Sequence, residues 1–147
     1  MSSRIVLERS IKASPEQVWP YVSSPDRWLE WQGLEAQIDP SACGVYRVNI
    51  RGDGFACGEV VHAEPPSRIS FTWGFDTPEH PIPVGATLVT IELIPDADGA
   101  ATVLRLTQQN IPAMAGPVRQ GWEHYLDRLV VVAEGGDPGA DPTIAIR

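Results

Sequence analysis

The spacing of apolar residues changes near residue 116, and this change limits the folds that are open to the chain. Beyond it, large apolar residues recur at the spacing of one face of an α-helix. This stripe consists of Val118, Trp122, Tyr125, Leu126, Leu129 and Ala133. It predicts one long amphipathic helix over about Gly116–Glu134 that ends at Gly135-Gly136. A helix with a single apolar face needs a partner surface, which the rest of the chain must supply.

The segments before this helix are rich in β-branched and aromatic residues and are bounded by glycine and proline. They predict strands near residues 4–11, 35–39, 44–51, 55–64, 67–75, 86–95 and 101–109. Turn residues cluster between several of these runs. Polar and apolar residues alternate within them, as in antiparallel strands that bury only one face.

Two short helices are predicted between the first and second strands. Residues 14–17 (Ser-Pro-Glu-Gln) combine an N-cap serine, a proline at the first helical position and a glutamine at the capping-box position. Residues 24–25 repeat the serine-proline start signal for a second helical turn through Trp28 and Trp31.

The order of these elements predicts an α+β fold, in which a curved antiparallel seven-stranded sheet wraps around the long C-terminal helix. The length of 147 residues fits one domain with its own core. We expect that domain to cover residues 1–136. Residues 137–147 are rich in Pro, Gly and Asp and predict a flexible C-terminal tail.

The net charge of the chain limits the kinds of molecule that it is expected to bind. Nineteen acidic against eleven basic side chains give a net charge of −8, which disfavours nucleic acids and anionic membranes. No apolar stretch resembles a signal peptide or a membrane span, so we expect a soluble, cytoplasmic protein. Two cysteines, Cys43 and Cys57, are expected as thiols rather than as a disulfide in that compartment.

Several segments together resemble a known family. They are Ile11–Trp19, Trp31, Gly58–Val61, Pro65–Trp73, Thr102–Thr107 and Gly121–Leu129. Their order is similar to the family named for the C-terminal domain of the activator of Hsp90 ATPase, in the Bet v 1-like, START-like (SRPBCC) superfamily. The resemblance covers about residues 4–134 and implies the helix-grip fold. Where that family often has a histidine, this chain has Gln108, and Cys43-Gly44 stand where two glycines are common.

A sheet curved around one helix cannot always close tightly, and the gap that is left is an apolar cavity. The large residues expected to line it, with one polar residue, are Trp28, Trp31, Tyr46, Val48, Phe71, Trp73, Val89, Ile91, Gln108, Trp122, Tyr125 and Leu129. Ordinary core packing is the alternative for all of them, and we favour it for Trp19 and Leu126. For Trp73, Trp122 and Tyr125 the two interpretations stay open.

The sequence contains no strong catalytic or metal-binding motif. Its three histidines form no metal-ligand pair, and His124 is expected on the surface. His80 lies in the proline-rich loop 75–85, which is either a lid over the cavity or a plain connection. His62 shares strand parity with Val60, which predicts an inward side chain, and with Glu64, which predicts an outward one.

Three functions remain open. Binding of a small apolar or aromatic molecule ranks first, because it needs only the cavity, with no cofactor or metal. A cyclase/aromatase- or hydrolase-like enzyme would need polar groups inside the cavity, for which Tyr46, Tyr125, Gln108 and His62 are the candidates. A co-chaperone of an Hsp90-type ATPase ranks last, because the eukaryotic activators carry a preceding domain and this chain starts at the first strand. Self-association as a homodimer is also allowed.

Overall fold

In the part of the chain that the structure describes, seven strands form one antiparallel sheet, and three α-helices pack with it. The computed structural model describes residues 2–41, 43–52, 54–78, 80–113 and 117–142. The elements are β1 (Ser2–Ile11), α1 (Pro15–Ser23), α2 (Pro25–Trp28), β2 (Glu35–Ile38), β3 (Val45–Asn49), β4 (Phe55–Glu64), β5 (Arg68–Phe75), β6 (Thr87–Asp96), β7 (Ala101–Pro112) and α3 (Val118–Ala133). The strand order is β1-β7-β6-β5-β4-β3-β2. The predicted α+β helix-grip architecture is confirmed.

Alternation along β7 shows how the sheet separates its two faces. Thr102, Leu104, Leu106 and Gln108 are buried on the inner face, at most 1% exposed. Arg105 faces the other way and pairs with carboxylates on the two neighbouring strands. Because successive side chains of a strand point to opposite faces, the inner face can line the core while the outer face is exposed to solvent.

The start of α1 follows the predicted capping box. The backbone N–H of Gln17 donates to the Ser14 side chain at 3.2 Å, and the backbone N–H of Ser14 donates to the Gln17 side chain at 2.9 Å. These bonds satisfy amide groups that a helix start otherwise leaves without partners. The second helix ends at Trp28, so Trp31 lies in the turn that follows it.

Helix α3 packs its apolar stripe against the inner face of the sheet. The buried residues of the helix are Trp122, Tyr125, Leu126, Leu129 and Val132. The stripe ends at Val132, and Ala133 is only half-buried. Gly135, with a φ of +91°, closes the helix: its N–H and that of Gly136 donate back to the carbonyls of Val132 and Val131. This Schellman arrangement explains the glycine pair.

The chain after α3 runs back along that helix. The Arg128 guanidinium donates to the carbonyls of Pro138 and Gly139, at 3.3 and 3.0 Å. It also donates to the carbonyl of Trp31 at 3.1 Å. Of the predicted flexible tail, residues 143–147 lie outside the described residues, and the flexibility of the tail stays a prediction.

Trp28 lies at the centre of the core. Its side chain is fully buried, and its ring centroid lies 4.5 Å from that of Trp31 and 5.5 Å from that of Tyr46. The rings of Phe71 and Trp73 follow at 6.2 and 6.3 Å. This aromatic cluster, Trp28, Trp31, Tyr46, Phe71 and Trp73, joins α2 to the inner face of the sheet.

The two cysteines are free thiols, Cys43 exposed and Cys57 half-buried. Among the helices of the described residues, none is long and apolar enough to cross a membrane.

Replacing Trp28 by alanine tests the role of the aromatic cluster. The variant removes a buried indole from contact with four rings, so we expect the free energy of unfolding to fall by about 3–5 kcal/mol. Urea denaturation measures it. Leu34→Ala is the control, because Leu34 is 50% exposed and its truncation should change stability by less than about 0.5 kcal/mol. Equal midpoints for the two variants would contradict this description of the core.

Candidate functional site

A cavity of about 490 Å³ lies between the first two turns of α3, the end of β5 and two loops at the same end of the sheet. Its described lining consists of Gln32, Ile50, Arg51, Gly54, Trp73, Phe75, Thr77, His80, Ile82, Gln108, Pro117, Val118, Gln120, Gly121, Trp122, His124 and Tyr125. The volume falls in the range of small-molecule sites, roughly 300–1,000 Å³.

Two tryptophans form an apolar wall of this cavity. The ring centroids of Trp73 on β5 and Trp122 on α3 lie 5.6 Å apart, with their planes tilted by 42°. The two side chains are 3% and 5% exposed. Indoles offer a large, rigid apolar surface on which a planar ligand can pack.

A chain of buried hydrogen bonds fixes this wall. The Trp122 Nε1–H donates to the Gln108 side-chain oxygen at 2.7 Å. The Gln108 Nε2–H donates to the Thr87 hydroxyl at 3.0 Å, and that hydroxyl donates to the carbonyl of Trp73. Buried polar groups are costly unless they are paired, and this chain of bonds pairs them from α3 through β7 and β6 to β5. Gln108 therefore holds the Trp122 indole directly and is linked through Thr87 to the backbone of Trp73.

The proline-rich loop after β5 forms another wall. The N–H of Phe75 donates to the carbonyl of Ile82 at 2.8 Å, and Ile82 is 3% exposed. Gly74 makes the close approach possible, because a Cβ there would lie 1.9 Å from the carbonyl oxygen of Pro83. His80 stacks on Phe75, with centroids 4.1 Å apart, and accepts the Ile82 N–H at its Nδ1. The loop thus contributes to the lining, and its action as a lid stays a prediction.

A cluster of polar side chains borders the cavity on α3. The Tyr125 hydroxyl donates to Asp141 Oδ2 at 2.6 Å, and His124 Nε2 lies 3.0 Å from Asp141 Oδ1. The Asp141 side chain is only 4% exposed, whereas that of His124 is 32% exposed. The segment beyond α3 therefore brings a buried carboxylate to two residues that line the cavity.

The structure divides the predicted ligand-binding residues into two groups. Four of them line the cavity: Trp73, Gln108, Trp122 and Tyr125. The other eight lie in the core and outside the cavity lining: Trp28, Trp31, Tyr46, Val48, Phe71, Val89, Ile91 and Leu129. The aromatic cluster fills the centre of the space between sheet and helices, so the remaining void lies toward the start of α3.

The expected surface position of His124 holds only in part: its side chain is 32% exposed, and the residue also lines the cavity. The signal that could have indicated this is its neighbour Tyr125, which lies on the apolar stripe. The missing information was Asp141, which comes 17 positions later and whose contact no local pattern predicts. Phe75, His80 and Ile82 lie in loop 75–85, which the sequence left open as a lid or a plain connection, and none of them was named as a lining residue.

His62 points outward, which resolves its ambiguous parity. Its side chain is 50% exposed and bonds to Glu64. A β-bulge interrupts the pairing of β4 with β5 between Val60 and His62, so the alternation shifts by one residue. The hypothesis of an enzyme that uses His62 inside the cavity is therefore wrong.

Tyr46 is equally unsuited to proton transfer in the cavity. Its hydroxyl donates to the carbonyl of Val22 inside the core, and burial raises the pKa of its phenol far above the usual range. Among the described residues, no group of three or more His, Cys, Asp or Glu side chains is placed to hold a metal ion.

Replacing Gln108 by leucine tests the hydrogen-bond chain. The variant leaves the buried Trp122 N–H without its acceptor, so we expect the free energy of unfolding to fall by about 1–3 kcal/mol. Chemical denaturation measures it. Gln109→Leu is the matched control, because the adjacent side chain is half-buried and faces the other side of the sheet. If the two variants are equally stable, the chain does not support the indole wall.

Comparison with protein families identifies the chain's relatives. The model of the family described as activator of Hsp90 ATPase homolog 1-like protein matches residues 12–134. None of the curated proteins matches the sequence significantly.

Solved structures share the fold over most of the chain. An AHSA1-like protein from Rhizobium etli is 37% identical with a TM-score of 0.75, and the match covers 100% of this chain and 91% of that one. DynU16, from the dynemicin biosynthetic locus, is 27% identical with a TM-score of 0.76; the match covers 92% of this chain but only 48% of DynU16. An Hsp90 activator from Plasmodium falciparum shares the fold, with 24% identity and a TM-score of 0.69. That match covers 90% of this chain and 95% of the activator. The chain therefore belongs to the activator of Hsp90 ATPase homolog 1-like family.

Proposed function

We propose that this protein binds a small apolar or aromatic molecule in the cavity between the sheet and α3. The observation that carries the proposal is the cavity of about 490 Å³ bordered by the indoles of Trp73 and Trp122. An open space beside two held aromatic rings offers a planar ligand burial and ring contacts without rearrangement of the core.

The polar groups around the cavity divide into two roles. The amide of Gln108 is already bonded on both sides, to Trp122 and to Thr87, so it positions the wall. His80, His124 and Tyr125 lie on other parts of the lining. A ligand that packs its apolar body on the indoles can direct a polar substituent toward these side chains.

The relatives are compatible with this proposal. DynU16 comes from a biosynthetic locus, in which small molecules are the expected ligands. An enzyme of the cyclase/aromatase or hydrolase kind that uses the same cavity stays an alternative, although this hypothesis can no longer rest on His62.

A cytoplasmic location and a homodimer also stay predictions.

Family membership favours one further candidate, the binding of an Hsp90-type ATPase. That partner would act on a surface rather than in the cavity. A pull-down with a purified Hsp90-type ATPase separates the two proposals, since only the co-chaperone proposal expects retention of the ATPase.

A titration with N-phenyl-1-naphthylamine, a neutral apolar dye, tests the proposed cavity site. We expect binding to change tryptophan emission, because Trp73 and Trp122 line the cavity, and to raise the melting temperature. Gly121→Leu should weaken binding at least about tenfold, because the added side chain enters the cavity space. The same variant should not lose stability, since a Cβ at Gly121 meets no atom within 4 Å and leucine favours the helix.

Arg119→Leu is the control variant, because this exposed residue of α3 lies outside the described lining. It should bind the dye like the unmodified protein. Absence of dye binding to the unmodified protein would contradict the proposal. Equal binding to the Gly121 variant would place the dye elsewhere and contradict it as well.

A further inference from the structure

The buried position of the Asp141 side chain is unusual for an acidic residue. Its side chain is 4% exposed, although most aspartates lie on the surface. Arg128 holds the preceding segment against α3 through the carbonyls of Pro138 and Gly139. The carboxylate is thereby fixed beside the cavity residues His124 and Tyr125.

The contact with Asp141 determines which tautomer the His124 ring adopts. An ionised carboxylate only accepts hydrogen bonds, so His124 Nε2, 3.0 Å from Oδ1, must carry a hydrogen. In the neutral imidazole the other nitrogen, Nδ1, is then the acceptor. The Tyr125 hydroxyl, 2.6 Å from Oδ2, helps to hold the carboxylate in this orientation.

The free acceptor of this ring belongs to a residue of the cavity lining. Within the described part of the chain, the Asp141 contact is the single hydrogen bond of the His124 ring, so Nδ1 has no donor there. An uncharged hydroxyl on an aromatic ring suits such an acceptor beside an indole wall. A carboxylate would bring no donor, and an ammonium group would lose its hydration against apolar surface.

We propose, on the basis of the ligand-binding function above, that the ligand is a phenolic aromatic compound and that His124 Nδ1 accepts the hydrogen bond of its hydroxyl. His124 determines specificity for this donor. Asp141 is a positioning residue, which fixes the ring and its tautomer.

Calorimetric titrations with 2-naphthol and 2-methoxynaphthalene test this proposal, because the ether keeps the ring system and lacks the donor. We expect 2-naphthol to bind about tenfold more tightly, because it makes one hydrogen bond that the ether cannot make. In Asp141→Asn the amide can donate to Nε2, so Nδ1 becomes the protonated nitrogen. That variant should lose the preference for 2-naphthol and keep its affinity for the ether.

Asp137→Asn is the matched control, with the same chemical change at an exposed position of the same segment. It should keep the preference. Long-range ¹H–¹⁵N spectra of the imidazole groups give a second measurement on the unmodified protein, in which we expect the Nε2–H tautomer for His124.

Equal affinity for the two probes, a preference that survives Asp141→Asn, or an Nδ1–H tautomer in the unmodified protein would each overturn the assignment of His124. In the case of equal affinity, the proposed binding function still stands. If neither probe binds, the binding function itself is contradicted.

Discussion

The hydrogen bond from the Trp122 indole to Gln108 is the contact on which the site depends. It joins α3 to β7. Gln108 in turn bonds to Thr87 on β6, and Thr87 bonds to the backbone of Trp73 on β5. Each member of this chain is buried, so a change of one leaves its neighbour without a partner. The same bonds that hold the helix on the sheet therefore fix the position of the indole wall beside the cavity.

The cavity exists because the core is filled unevenly. Trp28 and its ring neighbours occupy the space under the centre of the sheet, where interior packing leaves little room. Toward the start of α3, Gly121 provides no side chain, and the loop that carries Ile82 closes the other side. The aromatic cluster around Trp28 thus stabilises the fold, and the proposed binding space lies in another part of the same apolar interior, at the start of α3.

Local patterns predicted the architecture well, because periodicity and capping depend on residues close in sequence. The long helix and the capping box at residues 14–17 are examples. Burial alone, however, does not distinguish a core residue such as Trp28 from a cavity residue such as Trp73. The contact that places His124 at the cavity was not predictable, because its partner Asp141 reaches it only in the folded chain. The facing of His62 stayed open because its strand parity was ambiguous, and a β-bulge decides it.

Mapping the binding site by ¹H–¹⁵N correlation spectra during titration with an apolar aromatic probe tests the central claim most directly. We expect shift changes that saturate and concentrate in residues 118–125 of α3 and in residues 73–82, which contribute most of the described lining. Changes centred on the outer face of the sheet, around Arg105, or spectra that do not respond to the probe, would contradict it.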